Sequence, residues 1–506
     1  MKLCIKPLFT LIFFIQSVNL FAIDPNGLFS DHMVLQQKVN IPVWGTGQNG
    51  EKVQIEFNGY ILNTVVEKNH WHTLLPAMSA GGPYVMKITG DNSVVIQDIY
   101  IGEVWVCSGQ SNMERKMSPH WKYQTITNYE NEKKAANYPL IRQYYVPHKT
   151  SDIPIENTNG LWTVCSPETI ESFSAVGYFF ARDLFEAKTL PIGIILSAVG
   201  GTQAKYWTSR AGLSQNSELI ALVNKYDEAV KTFPEKLAAY NAQKNALLAK
   251  YEHDKKMAKK AGEPQPRISK PPQDPNKRRH VSCYFNGMIA PLLKYPIKGV
   301  AWYQGESDRD FAKQYQVLFP ALISDWRKHW NIGKFPFLFV QIAPFKENNP
   351  EIREAQLLTL QNTENTAMVV TTDCGDATDI HPPFKQPIGY RLSLAARALA
   401  YHENIAYSGP IVNSFSIKKN KVEIYFEHVY GGLEYSGNTL NGFTIANSSK
   451  NFVPAKAEIK GNKIIVHNNS IYNPVAVRYG WENVPKGNLY NTENLPASPF
   501  RTDIGD

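Results

Sequence analysis

Between residues 98 and 404, five short and largely apolar runs alternate with stretches of helical periodicity. The runs are Ile101 to Cys107, Ile192 to Leu196, Gly299 to Tyr303, Pro336 to Ile342 and Ala367 to Thr371; helical patterns cover Phe173 to Ala187, Phe311 to Trp330, Glu351 to Thr363 and Pro387 to Tyr401. Runs that stay apolar, rather than alternating with polar residues, belong to strands buried on both faces. Interleaved with helices, they predict an α/β domain with a doubly wound parallel sheet. Such sheets bind ligands beyond the carboxyl ends of their strands, so the residues that follow each run are where chemistry is expected.

On either side the pattern changes. From residue 23 to 97, period-two segments such as Val53 to Phe57 and Tyr84 to Ile88 are broken by Gly, Asn and Asp turns, which predicts a small antiparallel β domain. From 405 to 506 the period of two returns, as in Lys421 to Tyr425 and Lys463 to His467, and predicts a β-sandwich. Residues 213 to 280 interrupt the α/β pattern with Lys-rich helical sequence and a Pro-rich stretch, Pro264 to Pro275. They read as an inserted, solvated helical hairpin with a stiff connector.

The net charge of +8 raises the question of a nucleic-acid or membrane partner. Its distribution answers it: residues 1 to 22 carry +2 and residues 213 to 280 carry +6, so the remainder is balanced. A general nucleic-acid-binding surface is thereby excluded. Residues 1 to 22, with Lys2 and Lys6 ahead of an apolar stretch from Pro7 to Ile15, read as an export signal too short to span a bilayer. A soluble protein, exported to the periplasm or the exterior, is expected, with no stable membrane insertion after signal removal. Four cysteines remain beyond the signal, Cys107, Cys165, Cys283 and Cys374, too few for a disulfide scaffold; Cys107 and Cys374 follow apolar runs and read as buried free thiols, while the spacing leaves the pairing state of the four open. No Cys or His spacing suggests a metal site, and no cofactor is expected.

Four strand ends carry reactive groups. The first run leads into Gly109-Gln-Ser-Asn-Met113, which puts Ser111 just past a buried strand as a nucleophile or, alternatively, as a helix N-cap. The second ends in Val199-Gly-Gly-Thr202, whose backbone N–H groups can face an oxyanion, and the third in Trp302-Tyr-Gln-Gly-Glu306, with an amide (Gln304) and a carboxylate (Glu306) at the same edge. Beyond the last run, Asp379-Ile-His381 offers a general base with an acid nearby.

These motifs, with Gly200-Gly-Thr202 and Trp207, Lys385-Gln386, Tyr390-Arg-Leu392, Asn473 to Tyr479 and Pro496 to Arg501, resemble the sialate O-acetylesterases of the SGNH-type (flavodoxin-like) hydrolase superfamily. The resemblance covers nearly the whole mature chain. It implies a serine esterase that removes acetyl groups from sialic acids through a Ser-His centre and an acetyl-enzyme. Ser111 matches the nucleophile, His381 the base, and Ser111, Gly201 and Gln304 the oxyanion positions. The superfamily's usual Asp-x-x-His is not kept, since Thr378 stands three residues before His381. Asp379 and Glu306 both remain candidates for orienting the histidine.

Trp302, Tyr303 and Trp207 are candidates for packing against the sugar, and Arg309 for meeting a sialic acid carboxylate. Two other readings stand: an acetylesterase on another glycan, such as acetylated xylan or pectin, and a non-catalytic glycan-binding protein of the cell envelope.

Overall fold

The protein is described here as a computed structural model over residues 22–503; the export signal proposed for residues 1 to 22 lies, but for its last residue, outside the described residues. The central sheet holds seven strands: β1 (Ser93–Gly109), β2 (Tyr138–Tyr145), β3 (Trp162–Cys165), β4 (Ile192–Ala198), β5 (Gly299–Tyr303), β6 (Phe337–Val340) and β7 (Thr366–Val369), in the spatial order β3-β2-β4-β1-β5-β6-β7. All pairs are parallel except β3 with β2 at the edge. The five apolar runs correspond to β1, β4, β5, β6 and β7.

β2 and β3 have no counterpart in the sequence reading. In β2 the apolar pattern is interrupted by Arg142 and Gln143, both buried with internal partners. Arg142 donates to the carbonyls of His32 and Asp98 at 3.1 and 3.0 Å, and the Gln143 side chain accepts from Ser174 N–H at 3.0 Å. Buried polar residues satisfied in this way hide a strand from a hydrophobicity pattern.

Helices cover both faces. α2 (Ala175–Lys188) and α6 (Gln386–Tyr401) pack on one side, where Phe179, Phe180, Leu392 and Ala395 share a core with Trp105, Cys107, Ile194, Ala301 and Leu338. On the other side α4 (Ala312–Trp330) and α5 (Pro350–Asn362) bring Phe319, Leu322, Trp326 and Ile352 against Val104, Val106, Ile195, Val300 and Phe337. Successive strand residues thus feed alternate layers, and each large apolar side chain so buried contributes about 1.5–3 kcal/mol. α2 and α6 approach closely at Gly389, where an added Cβ would lie 2.3 Å from the Cβ of Phe179. All four cysteines are buried and unpaired.

β1 is long because it serves two sheets. Its first half pairs antiparallel with Gly81–Thr89, and Val34–Gln36 joins Tyr100–Gly102 in parallel. The amino-terminal β region is therefore not wholly antiparallel, and its strand runs unbroken past residue 97 into the central sheet. The insertion also differs from a helical pair. It is a single helix, α3 (Ile220–Ala261), roughly 60 Å long at 1.5 Å per residue. Pro234 does not end it, and the return path carries no second α-helix: Tyr240 and Tyr226 hydroxyls tie back Ser269 and Asn276 at 3.1 and 2.6 Å.

The carboxyl-terminal region has two four-stranded sheets, one holding Ile411–Lys418, Lys421–Glu427, Lys456–Lys460 and Lys463–His467, the other Phe443–Ala446, Val453–Pro454, Ala476–Tyr479 and Phe500–Arg501. Phe426 of the first meets Phe500 of the second with ring centroids 5.8 Å apart. The fully buried Arg353 of α5 donates to the carbonyls of Glu482 and Asn483 at 2.9 and 2.8 Å, and Arg501 pairs with Glu354 at 2.6 Å, fastening this region to the central layer.

Candidate active site

The parallel register sets the site. Gly109 of β1 pairs with Ala198 of β4 and Tyr303 of β5, so three strands finish at one level and the residues after each meet beyond that edge. Gly109 has φ +134°, and a Cβ there would lie 2.2 Å from the Tyr303 carbonyl oxygen; only glycine lets the chain turn off β1 so close to β5. Gln110 then donates its N–H to that carbonyl at 2.9 Å and caps the short helix α1 (Ser111–Glu114). Ser111 is the first helical residue rather than the cap.

Ser111 Oγ lies 2.8 Å from His381 Nε2. His381 belongs to the loop between β7 and α6 and is largely enclosed, with Tyr123 edge-on at 4.8 Å between ring centroids. Burial, reinforced by the cations Lys385 and Arg115 and opposed by Asp379, pushes its pKa down to about 4. The imidazole is therefore neutral at pH 7, as a general base must be. Asp379 Oδ1 accepts the backbone N–H of His381 at 2.7 Å and lies 3.8 Å from Nδ1, too far for a hydrogen bond but close enough to favour a proton there. The loop itself is shaped by Asp376, which accepts from Thr378 N–H and Oγ1, both at 2.7 Å; those bonds hold its carboxyl at about 2.

Glu306 is not the partner of His381. It is buried, and its Oε1 accepts from Asn112 Nδ2 at 2.6 Å, while Asn112 Oδ1 accepts from the fully buried Lys385 Nζ at 2.6 Å. Asn112 Nδ2 also donates to the Ile380 carbonyl at 3.0 Å. This chain ties the nucleophile turn, the β5 edge and the histidine loop together. Burial raises the Glu306 pKa and lowers that of Lys385 to about 7. The sequence reading missed these roles, although Asn112 and Lys385 both stand in the motifs it used.

Gln304 also departs from expectation. It is buried, with Nε2 donating to the Thr202 carbonyl at 2.9 Å and to Asp308 Oδ2 at 2.6 Å, and Oε1 accepting from Tyr315 at 3.1 Å. Both amide hydrogens are committed inward, so none is left for an oxyanion. A second buried amide, Gln110, stands next to Ser111 in the chain. Its Oε1 takes N–H groups from Gly305 and Ser307 at 3.5 and 3.2 Å, leaving Nε2 without a partner among the described residues.

Of the two glycines after β4, Gly200 donates its N–H to Glu114 Oε2 at 2.6 Å, and Glu114 Oε1 meets His148 Nε2 at 2.9 Å. The N–H of Gly201, which has φ +67°, takes no partner among the described residues, and its carbonyl accepts from Arg279 Nη1 at 2.6 Å.

Trp302, Tyr303 and Trp207, expected to pack against the sugar, are instead all fully buried and offer no surface to a ligand. Trp207 donates Nε1 to Thr202 Oγ1 at 2.9 Å and packs against Trp302 at 6.2 Å. Because the sheet is covered on both sides, an aromatic residue on β5 is enclosed whichever way it points. Arg309 donates to Glu347 at 3.2 Å and is not a free cation.

Fold and comparisons together define a carbohydrate esterase. A solved carbohydrate acetylesterase from Xanthomonas citri is 32% identical and superposes with a TM-score of 0.80 over 96% of this chain and 100% of that one. The chain belongs to the family described as carbohydrate esterase, sialic acid-specific acetylesterase, whose model matches residues 101–261 and 284–392. The sialate O-acetylesterases of Mus musculus and Homo sapiens are 28% and 26% identical to it, each over 94% of this chain and 93% and 92% of their own length.

Proposed function

We propose that this esterase removes O-acetyl groups from sialic acids by a Ser111–His381 mechanism on an SGNH-type domain. The observation that carries the mechanism is the 2.8 Å contact between Ser111 Oγ and a neutral His381 Nε2 at the carboxyl edge of the sheet. The order β4-β1-β5-β6-β7, which is second-first-third-fourth-fifth along the chain when the edge strands β2 and β3 are left aside, supports the flavodoxin-like assignment. The similarity to sialate O-acetylesterases over most of the chain supports the substrate.

His381 Nε2 takes the Ser111 proton as Oγ attacks the acetyl carbonyl. The oxyanion is held by the Ser111 and Gly201 N–H groups, with the Gln110 amide in place of Gln304. Collapse breaks the bond to the sugar oxygen, which leaves with the proton from His381. Water, deprotonated by His381, then releases acetate and restores Ser111. Asp379 acts by its charge, favouring the Nδ1–H tautomer and the imidazolium.

Residues 1 to 22 support export, and among the described residues no helix is long and apolar enough to cross a membrane. The Xanthomonas citri relative supports a second reading, an acetylesterase on another acetylated glycan by the same residues. Acetate release from O-acetylated sialic acid and from acetylated xylan, by wild type and Ser111→Ala, separates them. The sialate reading expects turnover of the first substrate, lost in the variant; turnover of xylan alone overturns it.

A further inference from the structure

A cavity of about 930 Å³ lies between the foot of the inserted helix α3, its return segment and the loop after β4. Its lining includes Lys205, Lys225, Arg278 and Arg279, together with the aromatic rings of Tyr206 and Phe311, and no carboxylate. Among the described residues none of these four cations is in an ion pair. Their neighbours differ: Arg210 pairs with Asp227 and Arg309 with Glu347. The buried Asp308 lies behind Lys205, but its Oδ2 is held by the Ala204 N–H at 2.8 Å and the Gln304 amide.

The half-buried Lys205 ammonium faces the Tyr206 and Phe311 rings at 5.4 and 5.8 Å, and burial lowers its pKa. A cation partly removed from water and lacking a partner gains from an anion brought beside it.

The cavity adjoins the catalytic centre. Arg279, on its wall, donates to the Gly201 carbonyl, and a Cβ on Gly200 would lie 3.2 Å from that of Ser111.

We propose that this basic cavity is the subsite for the carboxylate of an acidic acetylated sugar, with Lys205, Lys225 and Arg278 meeting the anion while the acetyl group lies at Ser111. The proposal rests on the esterase reading above and adds to it: the excess charge of the insertion becomes part of substrate recognition. Tyr206 and Phe311 supply apolar faces for the sugar body, and a neutral acetylated sugar would leave the cations unpaired.

The test compares wild type with Lys225→Ala/Arg278→Ala, neither residue being part of the proposed catalytic machinery. Substrates are O-acetylated N-acetylneuraminic acid, acetylated polygalacturonate oligomers, acetylated xylo-oligosaccharides and 4-nitrophenyl acetate. We expect KM for the acidic sugar that uses the cavity to rise by about tenfold or more, and its salt dependence to flatten, with kcat little changed. The two neutral substrates should be unaffected. Which acidic sugar responds tells a sialic acid from a uronic acid.

Equal loss on acidic and neutral substrates, or no loss on either acidic one, overturns the proposal. Calorimetric titration of the Ser111→Ala protein with free N-acetylneuraminate and with galacturonate keeps the question separate from catalysis. Binding of either that is lost with Lys225→Ala/Arg278→Ala supports the subsite even if wild type releases no acetate, an outcome that would overturn the esterase reading alone. Binding absent for both, or unchanged by the substitutions, removes the subsite.

Discussion

The acidic limb of activity follows directly from the surroundings of His381. The reactive form is the neutral imidazole, and burial with two nearby cations holds the pKa at about 4, well below the ordinary 6.5 of histidine. At pH 5 a histidine titrating at 4 is still ~90% neutral, whereas one at 6.5 is only ~3% neutral, about a thirtyfold difference in active enzyme. The assay is acetate release under kcat/KM conditions from pH 3.5 to 8, with circular dichroism at each pH to show that the fold persists. A wild-type limb at pH 6 to 6.5 would refute the reasoning.

Lys385→Met tests the cause. Lys385, at about 7, is charged throughout the acidic window and repels a proton on His381. Its removal should move the limb upward, while an unchanged limb would leave burial and Arg115 as the causes. Stability carries the same signature. Between about pH 4 and 6.5 the unfolded chain binds a proton at His381 that the folded chain does not. Folding is therefore weakened as pH falls through that window, by about 3 kcal/mol in all from this group.

Four other outcomes are expected. Ser111→Ala and His381→Ala should each lower kcat by roughly a thousandfold or more, and the double variant should be little worse, because the two act as a unit. Gln110→Ala should cost about 100-fold in kcat with KM little changed, the loss of one oxyanion donor; Gln304→Ala should instead lower the melting temperature, since it leaves Asp308 and the Thr202 carbonyl without their amide, at roughly 1–3 kcal/mol. Equal kcat losses for the two would contradict this division. Gly389→Ala, whose Cβ would overlap Phe179, should destabilise by about 1–3 kcal/mol, read by urea denaturation, without altering KM. Asp379→Asn should reduce kcat more than Glu306→Gln, while the latter removes a charge that accepts from Asn112 and should alter stability more than turnover.

The central strands were legible because a sheet covered by two helix layers demands unbroken apolar runs. Ser111 and His381 followed because parallel register brings strand ends to one edge. What the pattern does not carry is the direction in which a side chain turns after the strand ends. Gln304 leaves β5 at the right level but is claimed by Asp308, four residues later on the following turn, and by the Thr202 carbonyl from another strand end; the spacing does not show that the side chain turns toward them. Gln110, whose oxygen is held by the Gly305 and Ser307 N–H groups, is the amide proposed in its place. The aromatic residues failed for the complementary reason. The same two-sided covering that makes β5 legible encloses Trp302 and Tyr303, so any ring that touches substrate must come from a loop, as Tyr123 does beside His381.

The spacing of the acid and the base follows from the same loop geometry. With Asp two residues before His instead of three, the carboxylate folds back onto the histidine's own N–H at 2.7 Å, and that bond fixes its distance from Nδ1 at 3.8 Å. A carboxylate bound to Nδ1 would raise the histidine pKa; one held off at this distance does so weakly, and burial prevails. The spacing and the low pKa are thus linked: Asp379 is spent on the backbone of the histidine loop, and burial decides the charge of the base.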